Sequence, residues 1–396
     1  MRKLIILIGI LMLMVVLIAL SVGLLERPLL RWLFPPTPPL PTQEVLPDSS
    51  EGEGLIAFES TRDGNPEIYV MQADGTEPQN LTNDPAWDVS PKWSPDGQQL
   101  AFISNRTGKF EIFVMDATSA QLRQLTNDPE AAWGGIKQGS RWILMPDSSQ
   151  LAWSPDGTRL AATHVLLNPT DHGWKESQIY LVNVDGSGTV PLTNARSNDF
   201  SPRWAPQGQQ IAFLRQQYTM LTLMVVNADG VELLNLGADA FIFDWSPDGS
   251  RLAYVISQAN NPPDEIWVVR TDDGSPPKRL LQSDGGFAGS QTTLVWSPDG
   301  TRLALVALAM MNDQFTQQLY LFWSDGSGLL RVTDALTVPA APVWSRDGQS
   351  LAFELRQEGA TDIYRLNVSD IFHSSASLET IQLTDTGKDR NPQWQP

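Results

Sequence analysis

Trp93-Ser94-Pro95-Asp96-Gly97 decides the fold, because the chain keeps returning to it. The same five residues recur at Trp153–Gly157, Trp245–Gly249 and Trp296–Gly300. Altered copies stand at Trp204–Gly208, with Ala205 and Gln207 for Ser and Asp, and at Trp344–Gly348, with Arg346 for Pro. A last beginning, Trp394-Gln395-Pro396, closes the sequence. Self-similarity at roughly 40–50 residues marks propellers, solenoids and arrays. The phrase also carries its own turn chemistry, since Pro presets φ at the second turn position and Gly suits the fourth.

Each Trp belongs to a unit of four segments. A short stretch ends in the Trp, as in Ser90-Pro91-Lys92-Trp93. Leu-Ala-aromatic follows, as in Leu100-Ala101-Phe102, Leu252-Ala253-Tyr254 and Leu351-Ala352-Phe353. A β-branched and aromatic run comes third, as in Ile112-Phe113-Val114 and Ile266-Trp267-Val268, and a short Leu-Thr piece such as Leu125-Thr126 comes fourth. Short β-rich runs divided by Gly, Asp and Asn turns read as antiparallel strands, and four strands make one propeller blade. The first unit, with Ile56-Ala57-Phe58 and Ile68-Tyr69-Val70, has no preceding Trp segment, and the last, Asn391-Pro392-Gln393-Trp394, has nothing after it. Joined, they complete one more blade. The expectation is an all-β, seven-bladed propeller over residues 55–396, closed by one C-terminal and three N-terminal strands, so that no sheet edge is left open to aggregation.

Residues 35–54 hold six prolines followed by Ser, Glu and Gly, and they read as a stiff spacer with a flexible end. Residues 1–34 begin with Arg2 and Lys3 and an uncharged, mostly apolar run from Leu4 to Leu25. At ~1.5 Å per residue that run reaches across a bilayer core of ~30 Å. It is read as an N-terminal transmembrane helix with the propeller on the extracytoplasmic side. The alternative is a signal peptide cleaved near Ala19-Leu20-Ser21, which would leave a secreted or periplasmic protein.

A formal net charge of −18 argues against a nucleic-acid partner. It fits a self-repelling surface, or more sharply a cationic partner. The absence of cysteine excludes disulfides, thiol catalysis and cysteine-bound metal. The three histidines, His164, His172 and His373, are not spaced as a metal pair. No metal or cofactor is expected.

These motifs resemble the TolB-like propeller family, whose blades read S-P-x-W-S-P-D-G-x-x-[LI]-A-F, then S-x-R-x-G-x-x-[ED]-I-Y. Ser90 to Phe102 fits the first half. Ser60, Arg62, Gly64, Glu67, Ile68 and Tyr69 fit the second, as do Ser104, Arg106, Gly108, Glu111 and Ile112. The resemblance covers residues 55–396. It implies an extracytoplasmic propeller acting by protein or ligand binding. The chain departs from the family's namesake in having an anchor and spacer where that protein has a small α/β domain, and in having seven blades where that protein has six. The namesake's partners are therefore not carried over.

Trp93, Trp153, Trp204, Trp245, Trp296, Trp344 and Trp394 are structural, packing between blades. Trp133, Trp142 and Trp174 fall outside the pattern and are expected as exposed binding contacts on two enlarged loops, residues 128–150 and 164–177. Asp88, Asp199 and Asp389 each stand five positions before a Trp, where the inner strand begins at the channel mouth. Converging carboxylates attract a cation or a basic side chain; an isolated Asp would cap its own turn. The expected function is a non-catalytic module that binds a protein, a peptide or a cell-envelope glycan. No Gly-x-Ser-x-Gly elbow, phosphate loop or zinc motif is present in the sequence. The alternative is a hydrolase or lyase using channel carboxylates.

Overall fold

The computed structural model describes residues 54–396, except 118–120, 129–130, 134, 139–140, 145–149, 168–173, 194–197, 218–219, 239, 257–264, 283–292, 312–313, 334–336, 370 and 372–379. Seven antiparallel sheets follow one another, each with its first strand at one edge and the next three added in chain order. The sheet led by Asp88–Trp93 is called the first blade here. The second to sixth are led by Leu151–Trp153, Asn198–Trp204, Ala240–Trp245, Thr293–Trp296 and Val338–Trp344. Leading strands of neighbouring blades touch at six of the seven junctions, which makes them the inner ring.

The closing blade is built from both ends of the repeat region. Leu55–Ser60, Glu67–Gln72 and Gln79–Asn80 supply three strands and Asp389–Trp394 the innermost. Ile56 faces Trp394 across the seam, and Phe58 faces Tyr69 in the same sheet. Gln395 extends the seam, its backbone N–H donating to Leu55 O at 2.8 Å. Circular completion is therefore as the repeat predicts.

The middle residues of the second strands are buried in succession rather than alternately, and Leu55–Ser60 is buried throughout. The reason is that each blade is covered on both faces by its neighbours, so both side-chain sets are apolar. Phe58, Phe102, Phe213 and Phe353 are all 0% exposed, and each such side chain contributes roughly 1.5–3 kcal/mol by burial.

The repeat tryptophans hold blade to blade. Trp93 Nε1 donates to Gln393 O at 3.1 Å, Trp153 to Lys92 O at 2.9 Å, Trp245 to Arg203 O at 3.3 Å, Trp296 to Asp244 O at 3.2 Å and Trp344 to Val295 O at 3.4 Å. Each acceptor is the residue just before the Trp of the preceding blade. A guanidinium of the preceding blade lies over the ring in four cases, for example Arg251 over Trp296 at 4.7 Å. Below each Trp the turn closes on itself. Ser94 Oγ donates to Asp96 Oδ1 at 2.6 Å, and Gly97 takes φ 68°. That serine hydroxyl, with the Gln98 N–H, holds the Asp96 carboxyl below its ordinary range.

The second blade departs from the expected plan. Residues 128–150 do not simply lengthen the approach to its first strand. Ala131–Trp133 forms a fifth strand, pairing with His164, Val165 and Leu166 of the second strand. Leu151–Trp153 pairs only the lower part of the same strand, at Leu160, Ala161 and Ala162. The insertion thus divides the inner strand in two and extrudes a hairpin, Gly135–Gln138 with Arg141–Leu144, between the halves. No helix among the described residues is long and apolar enough to cross a membrane. The anchor expected at 1–34 lies outside the described residues, as does the 35–54 spacer apart from Gly54.

Candidate functional site

Where each inner strand begins, its upper residue faces one residue of the second strand, and this level forms the rim. In the closing blade the pair is Asp389 and Ser60, and in the first blade Asp88 and Ser104. In the second it is Trp133 and His164, and in the third Asp199 and Arg215. In the fourth blade Ala240 faces Ile256, and in the sixth Pro339 faces Leu355. Counted from its own Leu-Ala pair, the fifth blade has Ala307 at this level, 0% exposed. Four consecutive blades are polar here and three are apolar.

The polar arc is built from arginine clamps. Asp88, Asp199 and Asp389 are each 0% exposed. Arg62 Nη2 donates to both oxygens of Asp389, at 3.0 and 2.9 Å, and its Nε donates to Ser60 Oγ at 2.9 Å. Thr386 Oγ1 adds a 2.6 Å bond to Asp389. Arg106 repeats the device on Asp88, at 3.0 and 2.9 Å, with Nε on Ser104 Oγ at 3.0 Å. Arg215 reaches Asp199 through Nε at 2.8 Å and Nη2 at 3.1 Å. Each guanidinium lies on an aromatic ring: Arg62 on Tyr69 at 4.5 Å, Arg106 on Phe113 at 5.0 Å and Arg215 on Phe213 at 5.3 Å. The arginine side chains keep 21%, 16% and 16% exposure. Burial pushes the Asp88 carboxyl upward, and Arg106 and Ser104 oppose it.

Asp88 and Asp389 thus each face an arginine of their own. Of the two attractions weighed in the sequence, the basic side chain is the one seen. Among the described residues no group of three or more His, Asp or Glu could hold a metal ion. Arg62 and Arg106 belong to the S-x-R-x-G motif, but nothing in that motif joined them to Asp389 and Asp88; Arg215 has no such motif and was not legible.

Trp133 corrects an expectation. It is 2% exposed, not a surface contact, because strand pairing turns it onto His164, with ring centroids 4.7 Å apart. Tyr180 lies 4.5 Å from the same imidazole. Asp128 Oδ2 lies 3.0 Å from His164 Nε2. Burial pushes the His164 pKa below its ordinary value, against the pull of Asp128. A neutral ring placed against a carboxylate carries its proton on Nε2. Trp142 pairs with Lys137 and Trp174 with Leu167 through the backbone. Their side chains lie outside the described residues.

Sequence reading missed two further carboxylates. Glu59 and Glu354 follow the Leu-Ala-Phe type segment in the closing and sixth blades, at a level filled by Thr163 in the second blade and by Ile103, Leu214, Val255 and Val306 in the others. Glu59 Oε1 accepts from the backbone N–H of Ser90 at 2.8 Å, and Glu354 Oε2 from that of Asn391 at 2.9 Å. Both donors belong to the next blade's inner strand and sit at a bulge with positive φ, 57° for Ser90 and 54° for Asn391. Such backbone is strained for a residue other than glycine, and the buried carboxylate is what satisfies its turned N–H. Arg390 Nε meets Glu59 Oε2 at 2.8 Å and keeps 47% of its side chain exposed. Burial pushes the Glu354 carboxyl up, with neighbouring Glu59 adding to the rise. The only sequence signal was a charge at an otherwise mostly apolar repeat position.

The family described as TolB beta propeller domain matches residues 44–145 and 214–396. An uncharacterized peptidase of Bacillus subtilis, YuxL, is 32% identical over 111 residues, which is 27% of this chain and 16% of that protein. The chain spans about half or less of the length of the curated relatives it matches. The solved structure of TolB from Acinetobacter baumannii is similar at TM-score 0.52 and 17% identity, covering 87% of this chain and 67% of that one. Oligogalacturonate lyase from Vibrio parahaemolyticus is similar at TM-score 0.64 and 14% identity, covering 83% of this chain and 97% of that one. At such identities the two structures speak to fold alone.

Proposed function

We propose, from the premise that this chain belongs to the TolB β-propeller domain family, that it is a non-catalytic module which binds a protein or peptide at the polar arc of its rim, on the extracytoplasmic side of a membrane. One observation carries the reading: three guanidiniums held at one structural level by buried aspartates. Nε and Nη2 of Arg62 are consumed within the clamp, and no described residue engages its Nη1, whose two donors suit the carbonyls of an extended partner. Both ends of each ion pair are already ordered, so a partner meets a preorganised surface. The membrane tether is part of the proposal and rests on residues 1–34 of the sequence. The test is capture from native envelope by the full chain, compared with Asp88→Ala/Ser104→Ile/Arg106→Leu, which gives the first blade a rim like the fourth. Capture reduced several-fold with folding intact supports the reading; equal capture overturns it.

A second reading has its own support. Glu354, raised by burial, stands near Glu59, which is ion-paired to Arg390. A buried carboxyl beside an ion-paired one is an arrangement that an acid and a base can use, as in a hydrolase or lyase. Under this reading Glu354→Gln abolishes turnover found on a panel of peptides, glycosides and polyuronates. No turnover by the unaltered chain removes it.

A further inference from the structure

The opposite end of the ring is formed by the Trp-Ser-Pro-Asp-Gly turns. A pocket of about 350 Å³ opens there between the turns of the first, fifth, sixth and closing blades. That volume is in the range of small-ligand sites, ~300–1,000 Å³. Its walls are Pro95, Pro298 and Pro396 with Trp344 and Trp394, and Arg346 is the one charged side chain among them.

Arg346 breaks a rule kept by every other blade. The third position of the repeat is Pro95, Pro155, Pro206, Pro247, Pro298 and Pro396 in the other six. The turn does not require the change. Ser345 Oγ donates to Asp347 Oδ1 at 2.6 Å and Gly348 takes φ 67°, nearly as Ser94, Asp96 and Gly97 do in the first blade. Nor is the guanidinium used inside the protein. Arg346 is exposed, and it makes no hydrogen bond or ion pair with any described residue. The adjacent Asp347 is occupied with Ser345 and with the backbone N–H of Gln349 at 2.9 Å. The other arginines at this end are engaged: Arg302 donates to Gly348 O at 2.8 Å and lies over Trp344 at 5.1 Å.

We infer that this pocket is a binding site for a small carboxylate with an apolar body. The guanidinium is a rigid fork that matches a carboxylate in bidentate fashion. The proline and tryptophan walls supply apolar area and no competing donor but Gln395. In a chain of net charge −18 an anion is held only where a local cation outweighs the general repulsion. The inference does not depend on the rim reading, since the two sites lie at opposite ends of the inner strands.

The test uses the full chain and tryptophan fluorescence, because Trp344 and Trp394 line the site. Probes are N-acetylphenylalanine, its C-terminal amide, and a short peptide ending in a free Phe carboxylate. Saturable quenching by the acid, with the amide at least about tenfold weaker, supports the site. Arg346→Pro removes that difference while leaving Tm unchanged, since the other blades fold with Pro there. A peptide that binds at least about tenfold better than the free acid identifies a partner's C-terminus as the source; comparable binding identifies a free acid. Equal binding of acid and amide, unchanged binding by Arg346→Pro, or no binding of any probe up to about 10 mM overturns the inference.

Discussion

The closing, first and third blades place a buried aspartate–arginine pair at the rim, while the fourth, fifth and sixth place alanine, isoleucine, proline or leucine at the same level. Backbone pairing continues through this level in both arcs. The apolar arc is therefore an internal control. It demonstrates that a blade does not need the ion pair in order to form. Burying two charges gains little over well-packed apolar groups, and often loses. A clamp kept in three blades and dispensed with in three is better accounted for by what it presents than by what it stabilises.

The largest expected effect comes from breaking a clamp halfway. Arg106→Leu leaves the Asp88 carboxylate buried without its cation, and should lower unfolding free energy by about 3–5 kcal/mol in denaturant titration. A loss below about 1 kcal/mol would mean that the pair is not desolvated as its burial implies. Next in size, Trp→Phe substitutions address what the arcs share. Trp93→Phe and Trp344→Phe each remove one bond between blades, to Gln393 O and Val295 O. Each should cost about 1–2 kcal/mol, alike in both arcs. Unequal costs would show that the arcs differ below the rim as well.

A smaller effect belongs to the second blade. His164 has its folded pKa lowered from 6.5, so the unfolded chain takes up a proton more readily than the folded one. Stability is then complete above pH 6.5 and falls as pH drops below it. The groups acting on His164 are Asp128 and Glu111, which favour its charge, and Lys109, which opposes it. Thermal unfolding between pH 7.5 and 5.5 should show a decline that His164→Gln flattens. An unchanged slope would sever the imidazole from that decline. The smallest expected change in stability is the most informative. Asp88→Ala/Ser104→Ile/Arg106→Leu should unfold within about 1 kcal/mol of the unaltered chain, while partner capture falls. Lost stability on that scale of 3–5 kcal/mol would mean the arcs are not interchangeable.

The blade count and the seam were legible because they rest on local chemistry. A Pro-Asp-Gly turn and a Leu-Ala-aromatic strand declare themselves within a dozen residues, and Ile56 opposite Trp394 follows from completing the series. The clamps were half legible. Asp88 and Arg106 stood out separately, but their meeting depends on a bulge between Val89 and Lys92 that shifts the register. Trp133 was misplaced because an insertion has no period to follow; only pairing with His164 reveals its burial. Glu59 and Glu354 were invisible for a different reason. Each accepts from a backbone N–H of another blade, and backbone leaves no mark in sequence; the Arg390 and Asn391 side chains that also reach Glu59 lie more than 300 residues away along the chain.

The seam between Leu55–Ser60 and Asp389–Trp394 has a mechanical consequence. Its strands run antiparallel, with Leu55 and Gln395 bonded at one end though 340 positions apart in sequence. Tension applied across that end loads the ladder rung by rung, as a zip is opened, and the bonds do not share the force. A pull on one flank alone leaves the ring unloaded. A propeller hung from a single side would withstand drag that would open the same molecule held from both.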